Sequence, residues 1–185
     1  ILHKTLITSP VQKPVSVIIC AKNEQENLEK FLPLIMEQKY PDFEVIVVND
    51  CSEDDTEDTL IRFSNEYKNF RYTTIYKDDR FDHNKKLALN IGIKSARNEH
   101  ILLIDADCYP VSEFWIEKMM RNYLPDKEIV LGYGGYEQRK GFLNKLVRFD
   151  TFFIGLQYMG FALAGIPYMG VGRYFFFKKT ARYLG

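Results

Sequence analysis

No cysteine pair in this chain has CxxC spacing, and the three cysteines present (Cys20, Cys51, Cys108) make an odd count. Zinc ribbons and disulfide frameworks are therefore disfavoured, and reduced thiols in a cytoplasmic compartment fit better. Excess charge is also missing: 25 basic and 25 acidic side chains cancel. Without a basic excess or stripe, no field draws the chain toward nucleic acid. The AKNEQEN segment after the first apolar run contains no glycine. A dinucleotide fold needs GxGxxG there, and a sugar nucleotidyltransferase needs a glycine-rich phosphate loop, so both readings are weak. Internal repeats, low-complexity tracts and a signal peptide are absent from this sequence.

What is present is a hydrophobic share of 46% over 185 residues, enough for one domain with a real core. The chain opens at Ile1 and stops at Gly185. Both ends read as cuts, so the expectation is a single domain over 1–185, incomplete at its C-terminus. Val15 to Cys20, Phe43 to Val48, Phe70 to Tyr76, His100 to Ile104 and Ile129 to Leu131 read as strands. Asn23, with Glu26 three residues on, predicts a capped helix carrying Leu28, Phe31, Leu32 and Ile35, with a kink or early break at Pro33. Ser52 with Asp55 predicts the start of a second helix, Lys85 to Ser95 a third, and Ser112 a cap for a fourth. Strands apolar throughout, each followed by a helix, predict an α/β fold with a mostly parallel sheet covered on both faces. In such sheets ligands lie beyond the carboxyl ends of the strands. Lys22-Asn23-Glu24, Asn49-Asp50 and Asp105-Ala106-Asp107 should converge there.

Residues 151–172 carry no formal charge and could span a bilayer by length alone. Five glycines, Gln157 and Pro167 interrupt them. The expectation is a buried helix followed by a loop, near a membrane surface.

Asp105 and Asp107 form the strongest chemical signal. Two carboxylates one residue apart at a strand exit point into the same cleft, and Mg2+ or Mn2+ takes such oxygen ligands together with substrate phosphates. An isolated DxD is more often two loop aspartates; its place directly after HILLI reverses that preference. Asp50 can accept from a base N–H or a ribose hydroxyl, or equally form an Asx-turn before the next helix. Glu53, Asp54 and Asp55 read as helix-start acids that suit the macrodipole. Lys85 can meet a diphosphate as a point charge, although a Lys-Lys pair alone is usually a solvated face. His83 beside it is assigned no role.

The segments VSVIICAKNE, VIVVNDCSEDDT, KKLALNIGIKSA and ILLIDADC, in that order over residues 13–110, resemble the family two glycosyltransferases, inverting enzymes with a GT-A fold. GIPYMGVGRYFFFKK is similar to the acceptor-side loop and strand of a bacterial branch. The resemblance implies a nucleotide-sugar-binding half over 13–110 and the start of an acceptor half over 111–185. Ala21, Asn23 and Glu24 then fall on the loop that holds the nucleotide, and Asp50 on the base contact. Asp105 falls near ribose and metal, Asp107 on the metal ligand itself, and Lys85 on the lysine of a GK-x-x-ALN segment. Asn49, Asn84 and Tyr174 depart from the family pattern.

The implied activity is Mn2+- or Mg2+-dependent transfer, with inversion, from a UDP- or GDP-linked sugar to a carbohydrate or lipid-linked acceptor. Cell-surface polysaccharide or glycolipid synthesis at the inner face of the membrane is the implied setting. The catalytic base is expected beyond Gly185, since Glu137 reads as structural and Asp150 as a helix partner of Arg148. The segment by itself is then expected to bind donor but transfer sugar poorly. A binding module with a degenerate site is the rival from another class.

Overall fold

The computed structural model describes residues 12–77, 85–123, 129–170 and 174–179. His83 and Asn84 lie outside them. In chain order the elements are β1 (Val15–Ala21), α1 (Gln25–Met36), β2 (Phe43–Asp50), α2 (Thr56–Glu66), β3 (Phe70–Ile75) and α3 (Lys85–Ser95). Then follow β4 (His100–Ile104), α4 (Trp115–Arg121), β5 (Ile129–Leu131), α5 (Phe142–Leu163) and β6 (Tyr174–Lys178). The strands form one sheet in the order β3-β2-β1-β4-β6-β5. β1 to β4 are mutually parallel, and β6 runs antiparallel to both β4 and β5. The five expected strands all form, and the mostly parallel α/β expectation holds.

Both faces of the sheet are covered, which is why the central strands are apolar at successive positions. On one face Val17, Ile19, Val45 and Val47 meet Leu28 and Leu32 of α1, Leu60 of α2 and Ile116 of α4. On the other, Ile18, Ile46 and Ile101 meet Ile93 of α3. The approach of α3 depends on Gly92, where an added Cβ would lie 2.6 Å from Ile18 Cγ2 and 3.2 Å from Val48 Cγ2. Gly92→Ala is expected to destabilise the protein by about 1 kcal/mol or more in urea unfolding, overpacking outweighing alanine's better helix propensity. A raised midpoint would refute the close approach.

Several local expectations change. The early break at Pro33 does not occur: α1 continues to Met36, with burial of Leu28, Leu32, Ile35 and Met36 offsetting the hydrogen bond that Pro33 does not donate. Asn23 does not cap α1: Glu24 is the N-cap residue, and Asn23 takes a left-handed φ of 54°. Its Oδ1 accepts from Glu53 N at 2.7 Å instead. The amides entering α1 are capped from the β2–α2 loop and the first residue of α2. Asn23 N donates to Ser52 Oγ, Glu24 N to Thr56 Oγ1 and Gln25 N to Asp54 Oδ2. Ser52 thereby serves α1 rather than α2, whose N-cap Asp55 makes no side-chain cap. Ser112 accepts from Phe114 N, one residue outside α4.

The helix expected to be buried is a surface helix. α5 begins at Phe142, and only Gly155 and Tyr158 are buried along it. Among the described residues no helix is long and apolar enough to cross a membrane.

Candidate functional site

Chain order reverses direction at β1, with β2 on one side and β4 on the other, so the carboxyl ends of β1, β2 and β4 open onto one crevice. The crevice holds a cleft of about 380 Å³ lined by Cys20, Ala21 and Lys22 from β1 and its exit, and Asp50 from β2. Glu24, Lys85, Asp105, Ala106 and Asp107 complete it. Six of the seven expected site residues (Ala21, Glu24, Asp50, Lys85, Asp105, Asp107) thus meet in one place. Asn23 does not line the cleft. It ties the β1–α1 loop to the β2–α2 loop, and so acts on the cleft wall rather than in it.

Asp50 is 7% exposed, and its Oδ1 has no hydrogen-bond partner among the described residues. A buried carboxylate oxygen left unpaired is costly, and a ligand donor arriving in the cleft would relieve that cost. The Asx-turn considered for Asp50 belongs to its neighbour: Asn49 Oδ1 accepts from Ser52 N at 3.3 Å. Asp50 is thus left facing the cleft.

Lys85, at the start of α3, holds its Nζ 2.6 Å from Asp105 Oδ1. Burial alone would lower the lysine pKa, but the hydrogen bond and charge of Asp105 outweigh it and hold the ammonium above its usual value. Lys85 is therefore a cation held by Asp105 at the exposed edge of the cleft. Cys20 is a neutral thiol: burial, reinforced by the negative charges of Asp105 and Asp50 against Lys85, pushes its pKa up to about 11.

Ligand atoms of Asp105, Asp107 and Cys108 lie within 4.8 Å of one another. The two carboxylates offer the hard oxygen atoms that Mg2+ and Mn2+ prefer, and Asp107 is exposed enough to bind without losing a core contact. Cys108 Sγ instead donates to Asp107 Oδ1 at 3.3 Å, as a neutral thiol can. The donor set fits a divalent cation completed by ligand phosphates.

Asp107 also lines a second, larger cleft of about 750 Å³. Phe31, Tyr109, Trp115, Tyr133, Glu137 and Tyr174 are among its walls. Phe31 and Tyr109 stack at 4.8 Å with 19° between planes, and Tyr174 donates its hydroxyl to the Tyr109 carbonyl at 2.8 Å. Tyr174, one of the departures from the family pattern, therefore braces the loop that follows Asp107. Glu137 pairs with Arg139 at 3.4 Å. Asp150 shows no pairing with Arg148 among the described residues, contrary to expectation, because residues two apart on a helix diverge by about 200°.

A model of glycosyl transferase family 2 matches residues 16–181. The chain belongs to that family. This family 2 domain is 28% identical over 171 residues to the poly-β-1,6-N-acetyl-D-glucosamine synthase of Staphylococcus epidermidis, covering 90% of this chain and 40% of the relative. It is 34% identical over 106 residues to glycosyltransferase AglE of Haloferax volcanii, covering 56% of this chain and 33% of that one. The chain thus spans about two fifths or less of the length of these relatives. A mannosyltransferase from Pyrobaculum calidifontis, solved in complex with GDP-Man and Mn2+, superposes with a TM-score of 0.67 at 22% identity. That match covers 91% of this chain and 46% of the other. Staphylococcus aureus TarS residues 1–349, solved with UDP, gives 0.55 at 23% identity, over 69% of this chain and 38% of that one. At these identities the likeness establishes the GT-A fold.

Sequence reasoning placed Lys22 and Ala106 at the crevice without giving them a role, and it did not assign Cys20 or the walls of the larger cleft. Those walls come from separate stretches of chain that no local pattern joins.

Proposed function

We propose that this family 2 domain binds a UDP- or GDP-linked sugar together with Mn2+ or Mg2+ and passes the sugar, with inversion, to a carbohydrate or lipid-linked acceptor. The donor half is assigned to residues 13–110, and the acceptor half begins at 111. The observation that carries this reading is the meeting of Asp50, Lys85, Asp105 and Asp107 in one cleft, with Asp107 shared by a second, aromatic cleft.

Asp50, with its unpaired Oδ1, accepts from a donor group on the nucleoside. Lys85 is poised to exchange its pairing with Asp105 for the diphosphate. Asp105 and Asp107 would hold the divalent cation. The cation's contribution is to neutralise charge that develops on the nucleoside diphosphate as it leaves. The larger cleft orients the acceptor hydroxyl for attack on the face of the sugar opposite the diphosphate. Its Phe31–Tyr109 stack and Trp115 supply apolar faces on which sugar rings rest. Glu137 is exposed and paired with Arg139, so the base that deprotonates the acceptor is not assigned to it.

A role in cell-surface polysaccharide or glycolipid synthesis is supported by the likeness to the staphylococcal synthase. That none of the three cysteines is in a disulfide fits the cytoplasmic side of a membrane. Calorimetric titration with UDP and GDP, each with and without Mn2+, tests the reading. One nucleotide should bind, more tightly with metal; absence of metal-dependent binding to both would overturn it.

A further inference from the structure

The outer face of α5 is apolar at heptad spacing and points away from the body. Phe142, Leu146, Phe149, Phe153 and Leu156 recur at intervals of four and three, Leu163 follows seven on past Gly160, and all six are 48% to 90% exposed. On the opposite face the helix is fixed to the body. Tyr158 donates its hydroxyl to the Gly132 carbonyl at 3.0 Å. Gly155 lies against Tyr133, whose ring atoms would be 2.7 Å from an added Cβ. The usual amphipathic pattern is thus inverted, with the apolar stripe toward solvent over the full helix, about 33 Å in length.

Charge identifies what covers this face. Residues 139–148 carry Arg139, which pairs with Glu137, and Lys140, Lys145 and Arg148 with no acid among them; Asp150 follows, and residues 151–170 carry no charge. Were two copies of α5 to pair in parallel, the cations would face each other. Antiparallel pairing would set them against an uncharged half. Neither arrangement neutralises them; anionic headgroups would. The charges at Lys145, Arg148 and Asp150 keep the helix from crossing a bilayer. A helix with a phenylalanine- and leucine-rich stripe, flanked by long cationic side chains, is suited to lie in the plane of the interface.

We propose that α5 is a membrane-docking helix that rests its outer face on an anionic lipid surface, with the cations at its N-terminal end holding headgroups. The proposal sharpens the membrane setting suggested above by naming the surface involved. It stands apart from donor binding, so vesicle flotation and nucleotide calorimetry can fail separately. Asn144, in the first turn of α5, also lines the larger cleft, so docking would bring that cleft close to the lipid.

Flotation with phosphatidylcholine vesicles, with or without phosphatidylglycerol, tests the idea. The chain should float with the anionic vesicles and be released by salt. Phe149→Ser with Phe153→Ser should cut partitioning at least about tenfold. Lys145→Glu with Arg148→Glu should cut it by about fivefold or more per cation, on anionic vesicles alone. Both pairs are on the surface, and an unchanged thermal midpoint checks that the fold persists. Failure of the wild-type chain to float, or flotation unaffected by either pair, would overturn the proposal. So would a dimer that Phe149→Ser dissociates in a chain that does not bind vesicles.

Discussion

Replacing Asp107 by asparagine is expected to abolish metal-dependent nucleotide binding while leaving the thermal midpoint where it is. Asp107 is exposed, and its described partner is the Cys108 thiol at 3.3 Å, so little of the fold rests on it. Its carboxylate is nonetheless one of the two oxygen donors at the centre of the candidate cation site. An amide keeps the shape and loses the charge. Loss of a group one shell further out commonly costs 10–100-fold in metal affinity, so a direct ligand should cost at least about 100-fold. The readout is the ratio of nucleotide affinities with and without Mn2+. A variant that keeps the wild-type ratio would remove Asp107 from the metal and leave the DxD reading without support. Asp105→Asn is the less clean experiment, because it also releases Lys85 from its 2.6 Å pairing.

The second large effect is expected far from the cleft. Glu44, at the start of β2, is 7% exposed and gathers donors from three segments. Ser16 Oγ lies 2.6 Å from its carboxylate, Arg97 N 2.7 Å and Arg71 Nη2 2.7 Å. Removing the carboxylate in Glu44→Ala leaves these groups without their acceptor at the sheet end, and breaking such a buried pair costs about 3 kcal/mol or more. Burial would raise the Glu44 pKa, but the hydrogen bonds from Ser16, Arg97 and Arg71 and the Arg71 charge outweigh it and hold the carboxyl below the usual glutamate value. A folded-state pKa held low contributes stability above the ordinary value, and that contribution is lost as pH falls through the lowered one. Urea unfolding should therefore separate wild type and variant widely at neutral pH, and the gap should close in acid. A gap that is small at neutral pH, or that fails to narrow in acid, would show that the network does not stabilise the protein this way.

Much of the site was legible because each residue sits beside a strand that announces itself. HILLI delivers Asp105 and Asp107, FEVIVV delivers Asp50, and VSVIIC delivers Ala21 and Glu24. A parallel sheet then forces their convergence. Asn23 was misread because its side chain looks like a local cap, while its true partner is Glu53, thirty positions away. The same holds for Ser52, which caps the neighbouring helix and not its own. The burial expected for the uncharged stretch after Thr151 failed for a different reason. Hydrophobic character reports that a surface avoids water, and it does not say whether protein or lipid covers it.

The sequence by itself determined the α/β architecture, the order of strand and helix, and the carboxylates that the strand ends present. Those are consequences of local periodicity and of the rule that parallel strands are buried on both faces. Only the tertiary structure decided the pairing of Lys85 with Asp105, the unpartnered oxygen of Asp50 and the capping exchanged between the two loops. Asp107 standing at the junction of two clefts belongs with these, as does the outward turn of the α5 stripe. Each depends on distances between residues remote in sequence, and no pattern within a short window of chain encodes those.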